Sequence, residues 1–134
     1  LSPKFIYGFP IGTTDFLWGL NFNKEDIIKN KEVILVESYK SVMKLMGWGI
    51  NNSVAVLTSH LNSHQLKLLI GLGVNVVVAF DKDATPRQDM EINKLKRFCK
   101  VEFIEDKQGL LDEKDAPCDK DYDTWKTLYE NRRK

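Results

Sequence analysis

Long apolar runs are missing from this chain of 134 residues. None approaches the roughly 18 residues of a membrane-spanning helix, so no membrane partner is expected. No leader segment stands at the start, and a cytoplasmic location is the expectation. The first residue is Leu1 rather than Met, which predicts a piece of a longer protein. A dominant charge is missing too. The 20 Lys and Arg nearly cancel the 19 Asp and Glu, leaving a net charge of +1. A bound polyanion would therefore need a local patch or a metal ion. Cysteine is scarce: Cys99 and Cys118 lack the C-x-x-C spacing, and free thiols in a reducing compartment are expected rather than a disulfide. His60 and His64 are four apart with no third ligand, which argues against zinc. Repeats and low-complexity tracts are absent.

What is present is ordinary globular composition, with 43% hydrophobic and 29% charged residues. That suits one domain with a real core. Residues 1–32 read as an irregular lead-in, with a short strand at Phe5-Ile6-Tyr7 broken by Gly8, Pro10 and Gly12. Asn23 and Asp26 suggest a helix start, with Ile27 and Ile28 packing inward. Phe16, Trp18 and Phe22 read as plugs for a core edge. From residue 33 the pattern alternates. Val33 to Val36 reads as a strand, Tyr39 to Met46 as a helix, and Val54 to Leu57 as a second strand. Ser63 to Ile70 reads as a helix closed by Gly71 and Gly73. Val74 to Phe80, almost continuously apolar, reads as a central strand. A helix from Pro86 to about Phe98 and a strand Val101 to Ile104 follow. This order predicts an α/β fold with a four-stranded parallel sheet, right-handed crossovers and helices on both faces. Residues 105–134 hold an acidic loop, a short helix from Tyr122 to Tyr129 and a basic end. From 105 to 123 the loop has eight Asp or Glu against three Lys.

Parallel strands gather their carboxyl ends on one edge, where ligands bind. Glu37 ends one predicted strand, and Asp81 and Asp83 follow another. Three carboxylates there would repel unless protonated or bridged by a cation. Mg²⁺ suits such an oxygen set and suits phosphate chemistry, with Mn²⁺ as its stand-in. On an extended segment Asp81 and Asp83 would face the same way. Lys82 between them would then point away, toward nucleic acid or merely toward neighbouring acids. Thr58 and Ser59 follow the second strand, where hydroxyls could meet a phosphate or simply shape a turn. Arg87 is a further phosphate candidate.

The combination VILVES, VAVLTSHLNSHQLKLL and VVVAFDKDA resembles the TOPRIM domain, and more narrowly that of bacterial and phage DnaG-type DNA primases. Val36, Glu37 and Tyr39 match a first motif, Thr58 and Gln65 a second, Asp81 and Asp83 a third. Lys114-Asp115-Ala116-Pro117 resembles a late acidic segment, and Lys4 to Tyr7 with Leu17 to Leu20 resembles the stretch before TOPRIM. The likeness divides the chain into 1–32, the end of a preceding primase subdomain; 33–104, the TOPRIM core; and 105–134. Ser38 and Leu57 stand where the family usually has Gly, Ser41 where it often has an acid, and Ala84-Thr85-Pro86 where a different continuation is usual. These departures suggest a phage or mobile-element branch.

The resemblance implies metal-dependent nucleotidyl transfer, with Glu37, Asp81 and Asp83 as catalytic and metal-binding residues and Asp115 as a further ligand. It implies synthesis of RNA primers from ribonucleoside triphosphates on a single-stranded DNA template, with a replicative helicase as a possible partner. The alternatives are a TOPRIM nuclease or topoisomerase-like enzyme, and a degenerate nucleic-acid-binding module without catalysis.

Overall fold

The computed structural model describes residues 16–134, together with the backbone of Phe5–Ile6 and Phe9–Pro10. The lead-in likeness at Lys4 and Tyr7 and the breaks expected at Gly8 and Gly12 lie outside the described residues. β1 (Phe5–Ile6) and β2 (Phe9–Pro10) form a small antiparallel pair, so Pro10 sits in a strand rather than ending one. α1 spans Leu20–Asn30, β3 Glu32–Val36, α2 Tyr39–Gly47, β4 Ser53–Ala55, α3 Ser63–Leu72 and β5 Asn75–Val78. A 3₁₀ turn at Pro86–Gln88 precedes α4 (Met90–Leu95), then β6 (Val101–Phe103) and α5 (Tyr122–Glu130).

The main sheet has the order β4-β3-β5-β6, and all three pairings are parallel. Successive residues of β3 serve opposite faces, as the pleat requires. Val33 and Leu35 pack with Ile27 of α1, Leu66 and Leu69 of α3, and Ile92 and Leu95 of α4. Ile34 and Val36 pack with Val42 and Leu45 of α2 and Trp125 and Leu128 of α5. The chain leaves β3 in one direction through α2, then returns past β3 to β5 through α3 on the opposite face. A single crossover hand demands that switch of face when direction reverses. Strand order therefore switches between β3 and β5, and the crevice at their carboxyl ends is where such a sheet binds ligands.

Three expectations are corrected. α1 begins at Leu20, not Asn23, because Gly19 at φ 93° turns the chain in before it. Asn23 is instead buried, its Nδ2 donating to the Ser53 carbonyl at 2.9 Å. Ile27 is buried, but Ile28 is 47% exposed, since adjacent helical positions point about 100° apart. The helix expected from Pro86 to Phe98 is split, because buried Asp89 is extended at ψ 123° and caps a fresh start through the Glu91 and Ile92 N–H groups. Trp18 does plug an edge: its backbone bridges Ala55 of β4, and its ring packs on Phe22 and Tyr39 at 5.4 and 5.5 Å. Cys99 and Cys118 are free, and the buried one is Cys118 in the loop.

Candidate active site

Glu37 follows β3 and Asp81 follows β5, one on each side of the switch point. Their proximity is built into the backbone, because the Asp81 N–H donates to Glu37 Oε2 at 2.6 Å. Each carboxyl group also acts on the proton affinity of the other. Burial, followed by the negative charges of Glu37, Asp119 and Asp83, pushes Asp81 up to about 7. Glu37 is raised as well, chiefly by burial, with the Asp81 N–H opposing. A proton held on this carboxyl pair thus relieves the anionic crowding at this edge.

Asp83 does not lie alongside Asp81 on an extended segment. The Ala84 N–H donates to the Asp81 carbonyl at 2.9 Å, closing a turn with Lys82 and Asp83 at its corners. Asp83 is exposed, though its charge is still felt by both Glu37 and Asp81. Among the described residues, no three Asp, Glu, His or Cys side chains converge as a ready-made metal cage. The arrangement is a close carboxyl pair with acids around it.

Asp115 contributes its carbonyl, which accepts the Lys82 N–H at 2.8 Å. Its carboxylate accepts the Asp112 N–H at 2.9 Å and lies 3.3 Å from the Lys120 ammonium. The Asp112 N–H first, and Lys120 after it, hold Asp115 below the usual carboxylate range. Lys82 bonds inward through Nζ, to Asp106 at 2.9 Å and the Leu111 carbonyl at 3.0 Å. Arg87 grips Glu105 through two hydrogen bonds of 2.6 and 3.0 Å. Both cations fasten the acidic loop to the strand ends. The Thr58 hydroxyl donates to the His60 carbonyl at 2.6 Å, and Ser59 is exposed beside it.

One residue at this edge escaped the sequence reading. The charge of Asp119 weighs on Asp81 more than that of Asp83 does. It follows the Asp115-Ala116-Pro117 segment by one residue after Cys118, in a loop whose many acids hide the relevant one. Lys44 of α2 donates to the Asp119 and Lys120 carbonyls at 2.9 Å each, holding that loop over the sheet.

No family model matches the chain. It is 32% identical over 133 residues to the SPbeta prophage-derived uncharacterized protein YorJ of Bacillus subtilis, covering 84% of this chain and 35% of that protein. It is 38% identical over 66 residues to the DNA primase of Campylobacter jejuni, covering 49% of this chain and 11% of the primase. Its structure resembles that of the Aquifex aeolicus primase (zinc binding and RNA polymerase domains), with a TM-score of 0.54 and 29% identity over 69% of this chain and 23% of that one. The fold is that of the TOPRIM domain of DnaG-type primases.

A DnaG primase catalytic domain solved with single-stranded DNA shares the TOPRIM fold more broadly. Its TM-score is 0.65 at 20% identity, covering 90% of this chain and 40% of that one. The TOPRIM chain thus spans about a third of the prophage relative and about a ninth of the Campylobacter primase. Among the described residues, no helix is long and apolar enough to cross a membrane.

Proposed function

We propose that this TOPRIM domain is the catalytic piece of a primase-like nucleotidyltransferase, which joins ribonucleotides from ribonucleoside triphosphates on a single-stranded DNA template. The observation that carries the reading is the Glu37–Asp81 pair at the switch point of a parallel sheet. The likeness to primases supports the template and the reaction class.

The donor set fits a divalent metal. Its oxygens are hard, and the crowding that makes Asp81 hold a proton is the crowding a cation would relieve. Glu37 and Asp81 would hold Mg²⁺ or Mn²⁺, with Asp83 and Asp119 as nearby acids and substrate phosphates completing the shell. When bound, the metal supplies charge stabilisation to the transferring phosphoryl group. The chain's own part is to hold the two carboxyl groups together and to release their shared proton when a cation arrives.

A Mn²⁺ titration, followed by NMR line broadening or calorimetry, tests the metal assignment in this chain, Glu37→Gln and Asp81→Asn. Saturable binding lost in both variants is expected. No saturable binding at millimolar metal, with or without a nucleoside triphosphate, would overturn it. Primer synthesis by the full-length protein, lost in the same variants, then tests the reaction. A non-catalytic nucleic-acid-binding module is favoured by the lack of a three-ligand cage among the described residues. That reading requires single-stranded DNA binding indifferent to the metal and to both variants.

A further inference from the structure

The loop between β4 and α3 is fastened at three points. The Leu57 N–H donates to the Glu37 carbonyl at 2.8 Å. Thr58 closes the loop on itself through the His60 carbonyl. Asp89, 7% exposed, accepts the Leu61 N–H on Oδ2 at 3.0 Å, while Oδ1 caps α4. The His60 side chain stands out from this closed loop at 77% exposure. Its Nδ1 lies 3.6 Å from Asp89 Oδ2, and a charge on the ring acts on Glu37.

An imidazole that turns one nitrogen toward a buried carboxylate keeps the other for a ligand. No hydrogen bond to His60 Nε2 is formed among the described residues. The surrounding carboxylates can accept but not donate when ionised, and a phosphate needs donors. Lys82 and Arg87, the cations expected to supply them, are engaged by Asp106 and Glu105.

We propose that His60 is a phosphate-contacting residue of this site and that Asp89 positions it, an inference that rests on the phosphoryl-transfer reading above. The phosphate belongs either to a nucleotide's triphosphate tail or to the DNA backbone. The contact is an imidazole N–H donated to a phosphate oxygen.

The chain has two histidines, so in His64→Gln the remaining imidazole C–H signals in the proton NMR spectrum belong to His60. Titration of that variant with inorganic triphosphate, and separately with oligothymidylate, each in Mg²⁺, is expected to move the His60 signals saturably. A response to triphosphate alone assigns the contact to the nucleotide; a response to oligothymidylate alone assigns it to the template. His60→Ala is expected to weaken the responding probe about tenfold, as loss of a charge-assisted hydrogen bond does. Saturable Mn²⁺ binding to Glu37 and Asp81 should persist in His60→Ala. Asp89→Asn, which retains the cap, should weaken the probe less and shift the His60 resonances in the free protein. Probes that bind with unmoved His60 signals and unchanged affinity in His60→Ala overturn the proposal. A chain that binds Mn²⁺ but neither probe also overturns it, while leaving the metal assignment standing. A chain that binds no Mn²⁺ overturns that assignment itself.

Discussion

Asp81 and Leu57 show how single residues here run against their ordinary preferences. The folded chain holds the Asp81 proton more tightly than the unfolded chain does, raising its pKa from 3.8 to about 7. The stabilisation from that proton is present below pH 3.8 and is lost as pH rises through about 7. The metal-free protein should therefore melt lower at about pH 8 than its other groups would dictate. Asp81→Asn should flatten that part of the profile, as thermal melts across the range will record. Leu57 sits at φ 68°, a left-handed conformation that costs a leucine about 1–2 kcal/mol. Here the missing family glycine has a price in strain, whereas Ser38, at φ −113°, needs no glycine and caps α2 instead. Leu57→Gly should change stability by no more than about 1 kcal/mol despite losing a half-buried side chain. Leu57→Val should cost about 1–2 kcal/mol, because branching at Cβ worsens the clash. Urea unfolding of the pair will separate strain from packing.

At the scale of elements, two polar devices set the edge on which Glu37 and Asp81 lie. The first is the start of α3, a capping box in which Asn62 and Gln65 each accept a backbone N–H of the other. Gln65 is wholly buried, and its Nε2 also donates to the Phe16 and Val56 carbonyls at 3.1 and 3.0 Å. It thereby joins helix, strand end and lead-in. Gln65→Ala leaves those carbonyls unsatisfied and should cost about 2–3 kcal/mol in denaturant unfolding. The second is the Lys82–Asp106 pair. Burial alone would raise Asp106, but Lys82 and the Leu110 and Leu111 N–H groups hold it below its ordinary value. The Asp106 side chain is 1% exposed, so removing its cation strands a buried charge. Lys82→Ala should cost about 1–3 kcal/mol. It should also raise proteolysis within 105–120 before global unfolding, which limited digestion will show.

For the whole molecule, the parallel sheet was legible because central strands such as Val33 to Val36 and Val76 to Val78 must be apolar on both faces. The approach of Glu37 to Asp81 was legible because strand ends in such sheets share an edge. The turn at Asp81 to Ala84 was not, since nothing in Asp-Lys-Asp distinguishes an extended tail from a closed one until the Ala84 hydrogen bond forms. Asn23 read as a helix start and Asp89 lay inside an expected helix, and their burial is fixed by distant backbone at Ser53 and Leu61. Long-range satisfaction of that kind leaves no periodic trace in sequence.

Among the described residues, one backbone bridge from outside the sheet closes on each outer strand. Trp18 exchanges two hydrogen bonds of 2.9 Å with Ala55 on β4, and Arg133 exchanges bonds of 2.6 and 3.0 Å with Phe103 on β6. These bridges act as selvedges on a woven strip, stopping the sheet from joining to another. A fragment confined to residues 33–104 would lose both, along with the cover given by α1 and α5. It should form assemblies that scatter light at concentrations where the longer chain stays dispersed.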